Sequence, residues 1–236
     1  MNDFWNDDLP PGYYDIRFKK GLSKKRGVQS YWHLVTFQNV SNYVKLDIKH
    51  LDYACGPGTF IGLYSKNNSI GVDLSKTQID YAIEKNSNYS NFLTLEDFDF
   101  HKHDNSYDLI TVMGLIEFID DKEILDLHTK LIKMLNNRGK IIYTTPNFKG
   151  LMFFLEKALN FFGKVDYSNE HINKFDEKKL EKLFSSFVKD YKIKKFVNIS
   201  IFFSYFSHNL ALRIEKFIGK ITNSKYGSLM LIEIDK

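Results

Sequence analysis

The sequence predicts an α/β fold built on a mainly parallel β-sheet, and three observations point to it. From Leu46 onward, short apolar runs alternate with amphipathic helical stretches, the pattern of strands joined by crossover helices. The first run ends in a glycine turn, Cys55-Gly56-Pro57-Gly58, that leads straight into a helix. The second run ends in an acid, Asp73, immediately before a capped helix start.

Each element can be placed in order. The segment up to about Val44 reads as partly helical and rich in aromatics, among them Tyr13, Tyr14, Tyr31, Trp32 and Phe37. Strands are predicted at 46–53, 69–73, 92–95, 107–113, 140–145, 192–201 and 228–234. Tyr107 to Met113 is nearly continuous in apolar residues, as a central parallel strand buried on both faces must be. Helices are predicted at 59–66, after Ser75, after Asp120, at 148–162, after Asp176 and at 209–220. Ser75 with Gln78, and Asp120 with Glu123, have capping-box spacing. Ile79, Ala82 and Ile83 form one expected buried stripe, and Ile124, Leu127, Leu131 and Leu135 another.

At 236 residues the chain suits one domain with a small addition, and its core needs no disulfide or metal. Its single cysteine, Cys55, excludes an internal disulfide and agrees with a reducing compartment. No apolar run approaches the ~20 residues of a membrane-spanning helix, and the acidic N-terminus does not resemble a secretory signal. A cytoplasmic protein is the expectation. The formal charge of +4 is slight, with basic clusters at 19–26 and 189–195. Such runs are ordinarily solvated surface, although they could also attract an anionic substrate or membrane. No motif suggests nucleic acid, and no His/Cys/acid spacing suggests zinc.

The chemistry concentrates in Asp52-Tyr53-Ala54-Cys55-Gly56-Pro57-Gly58-Thr59. Glycine accepts positive φ and lets a ligand approach the backbone, and the next helix start offers unpaired amides. Asp73 falls close to the ~20-residue spacing of a ribose-binding acid. Because Ser75 caps the following helix, Asp73 is expected to be free for that ligand. A third glycine at position 61 would suit a nicotinamide dinucleotide, but Ile61 stands there and the glycine is Gly62.

These segments resemble the class I S-adenosylmethionine-dependent methyltransferases over roughly residues 48–147, and more loosely over 170–236. Within that family they are most similar to the group acting on small molecules, sugars and quinones. The resemblance implies a Rossmann-like, doubly wound, seven-stranded sheet with an antiparallel last strand. It also implies an N-terminal helical lid (1–45) on a methyltransferase domain (46–236) with a substrate-side helical insertion (148–175). Asp52, Ala54, Cys55, Gly56 and Gly58 resemble the cofactor's glycine-rich motif, and Asp73 with Leu74 its ribose site. Asp97 and Phe98 look like the adenine-binding pair, and Met113, Gly114 and Glu117 like the loop along the cofactor. Two positions depart from the family's pattern: Ala54 replaces the first glycine, and Phe118 stands where many relatives carry histidine.

The resemblance further implies S-adenosyl-L-methionine as methyl donor and an O-methyl product on a small molecule or glycan-linked sugar. His171, in Glu170-His171-Ile172-Asn173, is the candidate base, since histidine titrates near neutral pH. It could equally bond only to loop backbone. His33 is a weaker candidate, and His101 and His103 are expected in solvent. The aromatic residues Phe148, Met152, Phe153, Phe154, Phe161 and Phe162 could line an acceptor pocket, a dimer contact or a membrane surface. Two alternatives stand beside this reading: a lipid or quinone acceptor at a membrane surface, and a non-catalytic binding protein of the same fold.

Overall fold

The computed structural model describes residues 9–65, 69–87, 90–149, 152 and 171–236. Seven strands form one sheet: β1 (His50–Tyr53), β2 (Ser69–Asp73), β3 (Ser90–Thr94), β4 (Tyr107–Met113), β5 (Leu135–Pro146), β6 (Tyr191–Phe196) and β7 (Leu229–Asp235). Their spatial order is β3-β2-β1-β4-β5-β7-β6. The first five run parallel, while β7 is antiparallel to both β5 and β6. The expected doubly wound sheet with an antiparallel last strand is therefore present. Strand order reverses between β1 and β4, and the crevice beyond their carboxyl ends is where such sheets bind ligands.

Eight helices accompany the sheet among the described residues: α1 (Tyr13–Lys24), α2 (Val28–Ser41), α3 (Thr59–Tyr64), α4 (Lys76–Asn86), α5 (Asp121–Met134), α6 (Glu177–Phe184), α7 (Ser200–Phe203) and α8 (His208–Thr222). Strand residues alternate between two apolar layers, as the two-residue pleat requires. Ile110, Ile141 and Ile232 face Ile124, Leu131 and Phe184 on one side. Leu109, Ile142 and Leu231 face Tyr31, Val35, Phe60 and Ala211 on the other. Thus α2 is itself a wall of the core, and the part of the N-terminal segment that covers the sheet's carboxyl edge is α1 with residues 9–12. Both expected helix starts are capped: the Asp120–Glu123 box is complete, and Ser75 accepts the Gln78 N–H.

Several boundaries move for identifiable reasons. The first strand starts only at His50, because Asp47 takes a left-handed φ of 62° and Leu46 is exposed. The fifth begins at Leu135 rather than Lys140, pairing with Tyr107 directly after α5. The sixth stops at Phe196, where Val197 turns to φ 58°. That costly conformation for a β-branched residue is held by Glu215, whose carboxylate accepts the N–H groups of Val197 and Asn198. On α4, Ile79 and Ala82 are buried but Ile83 is exposed; Gln78 and Asn86 complete the inward face instead. The predicted helix 148–162 lies outside the described residues apart from Phe148, Lys149 and Met152. The basic run 189–195 falls largely on edge strand β6, where lysines oppose pairing with another sheet.

Candidate active site

A cavity of about 950 Å3 opens at the carboxyl ends of β1, β2, β4 and β5, under α1. The turn after β1 forms its floor. Ala54, Gly56 and Gly58 take φ values of 62°, 53° and 70°, so the chain reverses through three left-handed residues in five positions. Gly56 has nothing within 4 Å of where a Cβ would project. At Gly58 a Cβ would stand 2.6 Å from the Phe92 ring. One glycine therefore keeps the cavity open and the other admits a core aromatic. Ala54 holds its conformation without that freedom, at a cost of roughly 1–2 kcal/mol. The following helix, α3, has six residues, so its dipole adds little and the loop amides are the anion-binding feature.

Asp73 is more engaged than expected. Its Oδ2 accepts the Gly56 N–H at 2.7 Å and its Oδ1 the Ser75 N–H at 2.9 Å. It thereby locks the glycine turn to the start of α4, and a carboxylate accepting three backbone N–H groups still has acceptor capacity for a further donor. Burial raises its pKa above the usual carboxylate range, opposed by the N–H groups of Ser75, Gly56 and Leu74. Gln78 is displaced from the capping role its position suggested. Its carboxamide instead accepts the Gly12 N–H at 3.1 Å and donates to the Pro10 carbonyl at 3.1 Å. Together with the Tyr81 hydroxyl on Asp15 at 2.8 Å, these bonds tie the N-terminal segment onto α4.

Two acids stand deep in the wall. Asp52 accepts the Thr111 hydroxyl at 2.6 Å on Oδ1, while its Oδ2 is buried without a partner. Glu117, in the turn after β4, likewise has a buried, unpartnered Oε2. Burial pushes both carboxyls up to about 7. The hydroxyl of Thr59, on the same cavity, is also unpartnered, and that of Thr145 stands beside the Glu117 carboxyl. A buried polar atom without a partner is costly, so this set fits a polar ligand that supplies the missing partners. Behind Asp52, His50 bridges the hydroxyls of Ser69 at 3.0 Å and Thr111 at 2.9 Å. Burial holds that imidazole down to about 3. Because Thr111 donates to Asp52, the Nε2 of neutral His50 donates to Thr111 and its Nδ1 accepts from Ser69.

His171 lines the cavity between two aromatic rings, with centroids 5.0 Å from Phe118 and 5.0 Å from Phe148. Its segment is stapled on both sides. Asn173 N–H donates to the Glu117 carbonyl at 3.0 Å, and its carboxamide donates to the Ile119 carbonyl at 2.8 Å. On the other side Phe148 N–H donates to the Phe175 carbonyl at 2.7 Å. His33 also reaches the cavity, among the rings of Tyr14, Phe18 and Phe37, and burial lowers it to about 4.

Of the residues singled out from sequence, the cavity brings together Asp52, Ala54, Cys55, Gly56, Asp73, Leu74, Met113, Gly114, Glu117 and His171. It does not include Gly58, Asp97 or Phe98. Asp97 is exposed and accepts the Thr94 hydroxyl, while Phe98 is buried and stacks on His103 at 4.7 Å. His103 is therefore a packed ring rather than a solvated one. Burial of the Cys55 thiol pushes its pKa well above the ordinary value, so it is no nucleophile. Glu170 and the aromatics Phe153, Phe154, Phe161 and Phe162 lie outside the described residues; Met152 is buried on the cavity wall. Sequence reasoning gave no site role to Thr111, Thr145 or Asn173, and gave Gln78 the wrong one. Thr111 alone left a signal, a hydroxyl inside the apolar stretch Leu109–Met113 of the central strand.

A family model described as a methyltransferase domain matches residues 30–187. The chain belongs to this methyltransferase family. The match begins inside α2, consistent with that helix being part of the core. No curated protein matches the sequence at a significant level. Among solved structures, a methyltransferase dependent on S-adenosylmethionine from Archaeoglobus fulgidus is 19% identical, with 86% of this chain and 92% of that chain covered and a TM-score of 0.59. One from Thermotoga maritima is 16% identical over 95% and 99% of the two chains, with a TM-score of 0.61. The magnesium protoporphyrin IX methyltransferase of Synechocystis, with S-adenosylhomocysteine bound, is 14% identical over 99% and 97%, with a TM-score of 0.59. At these identities the likeness establishes the shared fold.

Proposed function

We propose that this methyltransferase O-methylates a small hydroxylated molecule, with His171 taking the hydroxyl proton. S-adenosyl-L-methionine is the methyl donor. It supplies an activated methyl group on a positively charged sulfur, and S-adenosylhomocysteine remains after transfer. The observation that carries the reading is the meeting of the glycine turn, Asp73, two buried acids that each keep one unpartnered oxygen, and His171 on one cavity. Asp73 suits the ribose hydroxyls, the open backbone at Gly56 suits close approach, and the buried oxygens of Asp52 and Glu117 suit the cofactor's ammonium group. The family resemblance of Asp97 to an adenine-binding acid would be met from the rim, since the residue is exposed beyond Thr94.

On the acceptor side the chain aligns and dehydrates. The His171 imidazole, beside the acceptor end of the cavity, would take the proton that the acceptor hydroxyl gives up on methylation, while Asp73 and the glycine turn would hold the cofactor that supplies the methyl group. Phe118 and Phe148 hold that ring in place, and the lid excludes water. With Phe118 in the position where relatives carry histidine, His171 is the basic group beside the acceptor end. His33, held down to about 4, is too weakly basic to replace it. Tyr14, Phe18, Trp32, Phe37, Phe118 and Met152 make much of the wall apolar, which favours an aromatic or amphipathic acceptor over a glycan-linked sugar.

Calorimetric titration with S-adenosylhomocysteine tests the cofactor site: micromolar binding lost in Asp73→Ala is expected, and no binding by the folded wild type would sink the reading. For the base, His171→Ala should lower turnover by about 10²–10⁴-fold with cofactor affinity unchanged. Turnover is read as S-adenosylhomocysteine release on hydroxylated aromatic and lipid acceptors. An undiminished rate in that variant would remove His171 from the mechanism.

A further inference from the structure

The stretch 199–227 carries an unusual surface. Tyr205, Phe206, Phe217 and Ile221 are between 66% and 72% exposed, and Phe202 and Leu210 are exposed beside them in sequence. On α8, His208 and Ala211 turn inward and are buried. Leu210, Ile214, Phe217 and Ile221 recur at i, i+4, i+7 and i+11, which places them on one side of the helix. The chain therefore covers one apolar side of α8 and leaves another bare.

The charge around the bare side has one sign. Arg213, Lys216, Lys220 and Lys225 are exposed along it. The single acid between 199 and 227, Glu215, is committed inward, accepting from Val197, Asn198 and the Ser200 hydroxyl. A second basic group joins from α1. His208 N–H donates to the Lys25 carbonyl and Gly27 N–H to the Ser204 carbonyl, both at 2.7 Å, which holds exposed Lys24, Lys25 and Arg26 against the turn bearing Tyr205 and Phe206. Tyr205 also lines the active-site cavity, so this surface is continuous with its rim.

We propose that the α7–α8 face docks on an anionic lipid bilayer, with the cavity rim at Tyr205 turned towards acceptors held in the membrane. Aromatic and aliphatic side chains on one helix face, with Arg and Lys alongside, are the composition of an interfacial helix. A second copy of the chain meeting this face about a two-fold axis would oppose basic residues to basic residues. Nucleic acid would use the charges but leave Leu210, Phe217 and Ile221 in water. Docking itself does not depend on the methyl-transfer reading; the delivery of a membrane-held acceptor does.

The test is co-sedimentation of the full chain, without cofactor, with phosphatidylglycerol-containing vesicles and with pure phosphatidylcholine vesicles. The wild type is expected to bind the former far more strongly and to be released by high salt. Lys216→Gln with Lys220→Gln should weaken binding about 25-fold, at about fivefold for each basic residue. Phe206→Ser with Phe217→Ser should abolish it. All of these residues are exposed, so the variants should melt with the wild type and bind S-adenosylhomocysteine equally well; docking and cofactor binding are thereby read separately. A wild type that stays in the supernatant with anionic vesicles overturns the proposal. So does a wild-type dimer that the double serine variant converts to monomer, or nucleic-acid binding lost in the glutamine variant without any vesicle binding.

Discussion

Two glycines two residues apart in the same turn should fail in opposite ways when a methyl group is added. At Gly58 the φ of 70° disfavours any L-residue, and the new Cβ would lie 2.6 Å from the Phe92 ring and 3.0 Å from the Ala82 Cβ. Both neighbours are buried, so neither can yield cheaply. Backbone strain of about 1 kcal/mol plus overpacking of about 1–3 kcal/mol gives Gly58→Ala a loss of roughly 2–4 kcal/mol. For a chain of this size that corresponds to a fall in Tm of roughly 4–16 °C. At Gly56 the backbone term is similar, but the Cβ meets no protein atom within 4 Å and enters the cavity. Gly56→Ala should therefore cost only about 1 kcal/mol, or roughly 2–4 °C, while losing most of its affinity for S-adenosylhomocysteine. Thermal melts and calorimetric titration on the two variants decide the matter. If Gly58→Ala melts with the wild type, or Gly56→Ala binds the cofactor product as tightly, the division of labour in the turn is wrong.

Protonation of Asp52 and Glu117 should favour the folded, ligand-free protein in mild acid. Their folded pKa values of about 7 exceed the ordinary 3.8 and 4.5, so folding takes up protons between about pH 4 and 7 and that stability is lost as pH rises through 7. Asp99 and Glu233, whose pKa values are lowered, act in the opposite sense at lower pH, and so do His33, His50 and His128 below about pH 6.5, because burial holds them down to about 4, 3 and 4. The Tm of Asp52→Asn with Glu117→Gln should therefore rise relative to the wild type from pH 5 to 8, and a constant difference would refute the assignment. Asn173→Ala removes the side-chain bonds to Ile119, Asp121 and Lys179, and should cost roughly 1–3 kcal/mol with cofactor affinity kept. A loss of S-adenosylhomocysteine binding without a loss in Tm would contradict that role. Gln78→Ala frees Pro10 and Gly12, so limited proteolysis should cut near α1 severalfold faster; an unchanged cleavage rate would mean the Asp15–Tyr81 contact suffices to hold the N-terminal segment.

The order and type of the elements were legible in the chain because they depend on local periodicity. The apolar run Tyr107–Met113, the acids and serines at helix starts and the glycines of the first turn each act within a few residues of where they stand. The family resemblance added the sheet order and the antiparallel last strand, and most of the residues that carry it converge on one cavity, Gly58, Asp97 and Phe98 excepted. What sequence could not supply were partnerships across distance. Gln78 has the spacing of a capping residue, but the N-terminal segment claims its side chain 66 residues away. Asp73 looked free because Ser75 caps α4, yet the turn 17 residues earlier needs its carboxylate. Asn173 carries no pattern at all until loops from β4 and β5 meet beside it. Propensity and capping are properties of neighbours in sequence, whereas the buried acids, the pinned His171 and the basic, aromatic face of α8 exist only once packing decides which polar atoms lose water and which apolar ones keep it.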